Sequence, residues 1–173
     1  MNSLIIFIAQ YVLYVLVAIA AGVWLFRDRQ GKLRLAAEGV VGLIVVGVGI
    51  WLAAHLHTDP RPFVHDPHSA PLFPHPADNG FPSDHSAAAG LLTVLVVRYQ
   101  RALGAVVGIG AVAIAWARVA AHVHHGQDVV AGLAIGVAAG ALGLVAVHLL
   151  IGVLERRGRL PVVAPRTKAD PAA

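Results

Sequence analysis

Apolar residues gather in long runs along this chain, and the polar residues fall between them. Leu4 to Phe26 carries no charged side chain. The stretches from about Leu35 to His57, Ala102 to Ala121 and Val129 to Leu154 repeat the pattern. Each approaches or passes the ~20 residues that an α-helix needs to cross a bilayer. A shorter run, from about Ser83 to Arg101, offers about 18 residues, or ~27 Å of helix. These runs predict an all-α membrane bundle of about five transmembrane helices.

The breaks between runs differ in kind. Arg27 to Arg34 reads as a short basic turn, and Glu38 then sits where an acid suits the start of the second helix. Gly42, Gly47 and Gly49 offer that helix close contacts of the kind common in membranes. Thr58 to Ser83 holds seven of the ten prolines, together with His65, His68 and His75 and Asp59, Asp66 and Asp78. A loop this long is functional or disordered, and proline narrows its backbone freedom, which favours an ordered cover over a site. Arg98 to Arg101 reads as a turn. From Glu155 onward the chain is polar and contains Pro161, Pro165 and Pro171. The expected division is a membrane domain over residues 1–155 and a flexible basic tail over 156–173.

Composition supports the membrane class. Hydrophobic residues make up 58% and charged residues 13%, against about 45–50% and about 25% in soluble domains. The absence of cysteine excludes disulfides, thiolate metal sites and thiol catalysis. The first run has no Lys or Arg before Arg27, so it reads as a retained helix rather than a signal peptide. The net charge of +4 reflects topology and not nucleic-acid binding. With five spans, eleven of the thirteen Lys and Arg fall on one side, which the positive-inside rule makes cytoplasmic. The N-terminus, the Pro-rich loop and residues 118–128 then face outward across the cell membrane. That outer face keeps two cations, Arg61 and Arg118, and nine of the ten histidines.

Candidate chemistry concentrates at Arg118-Val-Ala-Ala-His122-Val-His124-His125-Gly-Gln-Asp128. Ionisable groups beside a membrane core point to function. If this stretch is helical, His124 and Asp128 share a face, and so do His125 and Asp128. A carboxylate fixes the tautomer of an adjacent imidazole and frees its far nitrogen as nucleophile or base. A metal site at His122, His124 and His125, or interfacial polar residues without chemistry, fits the same stretch taken alone. Two further segments reach the same surface: Asp59-Pro-Arg61-Pro-Phe63 and Pro82-Ser83-Asp84-His85. Together they hold the parts for phosphoryl transfer. Arg61 and Arg118 would clamp phosphate oxygens. Ser83 would cap a helix whose free N–H groups face the anion. His124, steered by Asp128, would attack phosphorus, and His85 would protonate the departing oxygen.

In this order and spacing the chain resembles the type 2 phosphatidic acid phosphatase superfamily, whose motifs read Lys-x6-Arg-Pro, Pro-Ser-Gly-His and Ser-Arg-x5-His-x3-Asp. The corresponding segments here are Arg61-Pro62, Pro82-Ser83-Asp84-His85 and Ala117-Arg118-x5-His124-x3-Asp128. The third spacing selects His124 over His125. The longer string from Pro74 to His85 is similar to the bacterial undecaprenyl-diphosphatase branch. The resemblance implies removal of one phosphate from a polyprenyl diphosphate through a phosphohistidine on His124, with His85 as acid and without metal or cofactor. Phosphatidate or phosphatidylglycerophosphate is the alternative substrate, and a His-rich metal-binding or transport protein the alternative class. Three departures stand out. Ala54 occupies the place of the family Lys, and His57, one helical turn before Arg61, is the candidate replacement. Ala117 replaces Ser. Asp84 replaces Gly; its carboxylate is expected to point away from the phosphate or to bond loop N–H groups, while its own amide still donates to the phosphate.

Overall fold

A computed structural model describes residues 1–66 and 68–158; most of the expected tail lies outside the described residues. Five long helices and one single turn make up the fold: α1 (Asn2–Leu25), α2 (Arg29–Leu56), the turn α3 (Pro62–His65), α4 (Asp84–Tyr99), α5 (Arg101–Ala120) and α6 (Gly126–Arg156). No strand occurs among the described residues beyond an isolated bridge between Pro60 and Asn79. α1, α2, α5 and α6 are long and apolar enough to cross a membrane.

α4 has 16 residues, or ~24 Å of helix, and its position explains its shortness. It touches all four other long helices. Ala87 and Ala89 are completely buried and Leu91 nearly so. Protein rather than lipid surrounds α4, so it needs no continuous apolar surface. The helix begins where expected. Ser83 is its N-cap, with Oγ accepting the Ser86 N–H at 3.4 Å.

α4 lies against α6 through missing side chains. A Cβ on Gly136 would collide with the carbonyl oxygen of Ala87, and one on Gly132 with the carbonyl of Ser83. A Cβ on Gly90 would come within 2.8 Å of the Leu133 carbonyl. Such small residues let helix backbones approach in a membrane. Gly42 and Gly49 serve the same purpose on α2, against Leu91 and Ile135, whereas Gly47 faces open space. Gly136→Val should therefore cost about 1–3 kcal/mol or more through overpacking, and Gly47→Ala about 0.5 kcal/mol or less. Unfolding by SDS in mixed micelles would measure both.

Two local readings are corrected at the other end of the bundle. Arg29 to Arg34 is not a turn but the opening of α2, capped by Asp28, whose Oδ1 accepts the Gly31 N–H at 3.1 Å. Glu38 is therefore not a first-turn residue. It is fully buried, bonded to Arg34 at 3.0 Å and to the Tyr99 hydroxyl at 2.7 Å. Arg27 donates to the Tyr99 carbonyl at 3.0 Å. This network ties α2 and the α1–α2 connection to the end of α4, and so holds α4 in register.

Candidate active site

Residues 118–128 are not one helix. α5 stops at Ala120, His122 turns the chain with a left-handed φ of 58°, and α6 starts at Gly126. His124 thus precedes α6, and Asp128 lies in its first turn, where a carboxylate complements the helix dipole. Asp128 reaches back along the chain. One oxygen, Oδ2, accepts the His125 backbone N–H at 2.8 Å and lies 3.2 Å from His124 Nδ1. The His125 ring points elsewhere and meets Asp59 at 2.9 Å. The pairing of His124 with Asp128 comes from helix-capping geometry, not from a shared helix face.

Arg61 enters from the Pro-rich loop. Its Nη1 donates to the Val123 carbonyl at 2.7 Å and its Nε to Asp78 at 2.7 Å. The loop is held in place by Asn79. The Asn79 amide oxygen accepts from the backbone N–H groups of Asp59 at 2.9 Å and Phe81 at 3.0 Å. The Asn79 amide nitrogen donates to the carbonyls of Ala54 at 3.3 Å and His57 at 3.2 Å. Gly80 donates to the Asp59 carbonyl at 2.8 Å, and a Cβ there would lie 3.2 Å from Asp128 Oδ2. Phe73 of the same loop is buried with Ile5, Ala9, Ala117, Ala121 and Val123. The Ser83 N–H donates to the Asp128 carbonyl at 3.0 Å, which joins the second segment to the third.

Both guanidiniums converge on one nitrogen. His124 Nε2 lies 3.3 Å from Arg61 Nη1 and 3.2 Å from Arg118 Nη2. A guanidinium only donates, so Nε2 is the acceptor and the ring proton sits on Nδ1, facing Asp128. The Nε2 lone pair therefore points into the space that the two cations bracket. Arg61 and Arg118 are 6% and 3% exposed, and buried charge is costly unless paired. Arg61 has one ion-pair partner among the described residues, the exposed Asp78. Arg118 bonds two imidazoles, His124 and, at 2.9 Å, His75, and its Nε has no partner among the described residues. Two buried guanidiniums against one fully buried carboxylate, Asp128, leave positive charge in excess, which suits an anion.

His85 borders the same site. With Arg118, His75, Gln10, Tyr11 and Tyr14 it lines a cavity of about 380 Å³ between α1 and the loop. Burial first, then Arg118 and Arg61, hold the His124 pKa below the usual 6.5, against the pull of Asp128. Burial, Arg61 and Arg118 also lower that of His75. His124 thus stays neutral with its lone pair available as the pH falls through 6.5. The acid limb of kcat/KM, which reports groups on the free enzyme, should lie below pH 6.5.

The other candidates stand apart from the two guanidiniums and His124. Ser83 is fully buried, and its Oγ engages Ser86. Asp84 is exposed, although its charge reaches Arg118. His57 is exposed, with its ring edge-on to Phe81 at 4.7 Å. α2 ends at Leu56 and the backbone at His57 is extended, so His57 and Arg61 are not one helical turn apart. His122 bonds the Ala70 carbonyl at 3.2 Å and does not join His124 and His125 in a metal site. Asp59, His125 and Asp128 do bring three ligand atoms within 4.8 Å of one another. His75, Asp78 and Asn79 were not singled out as site residues, although all three lie in the string from Pro74 to His85 that carries the closer resemblance.

Residues 12–151 match the PAP2 superfamily. The chain belongs to that superfamily. It is accordingly a hydrolase of phosphate ester or anhydride bonds. Among PAP2 relatives, undecaprenyl-diphosphatase BcrC of Bacillus subtilis is 28% identical over 143 residues, which cover 82% of this chain and 72% of BcrC. YbjG of Escherichia coli, provisionally named an undecaprenyl-diphosphatase, is 34% identical over 140 residues, covering 79% of this chain and 68% of YbjG. The crystal structure of LpxE from Aquifex aeolicus shares the fold, with a TM-score of 0.64 at 23% identity over 83% of this chain and 87% of LpxE.

Proposed function

We propose that this PAP2 phosphatase hydrolyses a polyprenyl diphosphate, of the undecaprenyl type, to the monophosphate and inorganic phosphate through a phosphohistidine on His124. The observation that carries the reading is the convergence of two buried guanidiniums on the lone pair of His124 Nε2. A phosphoryl group between them has its oxygens held by Arg61 and Arg118 and its phosphorus facing Nε2. The nitrogen attacks, an N–P bond forms, and the bridging P–O bond breaks with its electron pair going to the lipid phosphate. His85 supplies a proton to that oxygen. Asp128 stabilises the imidazolium character that builds on His124. Water then cleaves the N–P bond, His85 accepts its proton, and phosphate leaves. Guanidiniums supply the charge stabilisation that phosphoryl transfer requires.

The names of BcrC and YbjG favour the diphosphate over phosphatidate or phosphatidylglycerophosphate. The charge distribution favours a site on the extracytoplasmic face. Arg27, Arg29, Lys32, Arg34, Arg98 and Arg101 lie at the opposite end of the helices from the cluster. Phosphate release from a panel of purified lipid phosphates in the presence of chelator tests the reading. Turnover of polyprenyl diphosphate undiminished by chelator, and faster than turnover of glycerolipid monophosphates, is expected. Activity abolished by chelation would favour a metal protein instead.

A further inference from the structure

Gln10 and His75 take no part in the chemistry above, yet both line the cavity beside it. Gln10 is an amide within an apolar membrane helix, and it faces this cavity. Polar side chains at membrane depth mark substrate paths. Tyr11 and Tyr14, on the same helix, also border the cavity and are exposed on the bundle surface. The cavity thus has a lipid-facing aromatic mouth and a polar floor of Arg118, His85 and His75.

His75 continues the line that begins at His124. Arg118 Nη2 contacts the Nε2 atoms of both rings, at 3.2 Å and 2.9 Å, and the ring centroids are 6.3 Å apart. A phosphoryl group at His124 that takes the N–H groups of Arg118 frees His75 Nε2 to carry a proton and donate. The leaving group differs between substrates. A lipid monophosphate releases a neutral alcohol once protonated. A lipid diphosphate releases a second phosphate, which remains charged and needs donors beyond those that hold the first.

We infer that His75 and Gln10 form a second-phosphate subsite, which holds the phosphate that stays on the lipid and makes the enzyme selective for lipid diphosphates over lipid monophosphates. This rests on the phosphatase reading given above. Tyr11 and Tyr14 line the passage through which the tail stays in the membrane.

The test compares kcat/KM for farnesyl diphosphate and for phosphatidate in mixed micelles, using full-length wild-type protein, His75→Phe and Gln10→Leu. Phe keeps a flat ring in the loop but neither accepts from Arg118 nor donates to a phosphate, so His75→Phe removes the donor. Each variant should lower the ratio of diphosphate to monophosphate activity at least tenfold. Inorganic pyrophosphate should likewise lose its advantage over orthophosphate as a competitive inhibitor. Gel filtration and thermal melting verify folding, and the two variants lie on separate elements. Equal losses on both lipids would make His75 a mere support for Arg118 and overturn the subsite, as would no loss on either. A wild type inert on every lipid phosphate would overturn the phosphatase reading, and the subsite with it.

Discussion

Replacing His124 with Gln should reduce lipid phosphate hydrolysis on the order of 10⁴-fold or more in kcat, because catalytic groups that act as a unit lose nearly all their advantage together. That corresponds to about 5.5 kcal/mol of lost transition-state stabilisation. Gln is close to His in size and presents an amide to the two guanidiniums, so packing around the 3% exposed side chain should survive. What disappears is the Nε2 lone pair between Arg61 and Arg118. Substrate binding should persist, since the phosphate oxygens still meet both cations. Kinetics in mixed micelles with labelled lipid, together with a binding assay on the inert variant, would separate the loss of kcat from a loss of affinity. A variant that keeps a tenth of the wild-type rate would remove His124 from the chemistry.

Asp128→Asn should have the next largest effect, a fall in kcat of about 10²–10³-fold, by the logic of a carboxylate whose charge stabilises an imidazolium. Asp128 is fully buried, and its Oδ2 serves two donors at once, the His124 ring and the His125 backbone. An Asn that keeps the backbone bond through its oxygen leaves that same oxygen facing His124 and sets its amide nitrogen in the place of Oδ1, which has no partner among the described residues. The Nδ1 proton keeps its acceptor, but a neutral amide no longer stabilises the imidazolium character that builds on His124 during attack. Asn also removes the negative charge that balances two buried guanidiniums. Stability should fall by about 1–3 kcal/mol, the cost of a poorly satisfied buried polar group. A kcat that drops while the protein still melts cooperatively is the expected signature, and activity near wild type would show that the carboxylate charge does not matter.

The spans were legible because a membrane core demands apolar residues continuously, and that demand can be read residue by residue. Helix starts were less so. Arg29, Lys32 and Arg34 are good helix formers that an apolar-run reading excludes, so α2 begins earlier than its hydrophobic stretch. Arg118, His124 and Asp128 were legible through their spacing, but the reason differs from a shared helix face, since a turn at His122 and a cap at His125 bring them together. His57 shows the opposite case. Its four-residue offset from Arg61 has meaning only in a helix, and the chain there is extended. The contacts of His75 with Arg118, Asp78 with Arg61 and Asp59 with His125 depend on how the Pro-rich loop folds back over distant segments. Neither period nor local propensity encodes that fold; Asn79, which bonds four backbone groups, sets it.

Covalent trapping addresses the phosphohistidine most directly. Protein mixed with polyprenyl diphosphate labelled in its terminal phosphate is quenched within one turnover and digested. Label should appear on the peptide containing His124, stable to alkali and lost in acid as an N–P bond requires, and should be missing from His124→Gln. Turnover without trapped label at any quench time, or label that survives in His124→Gln, would contradict a nucleophile at His124.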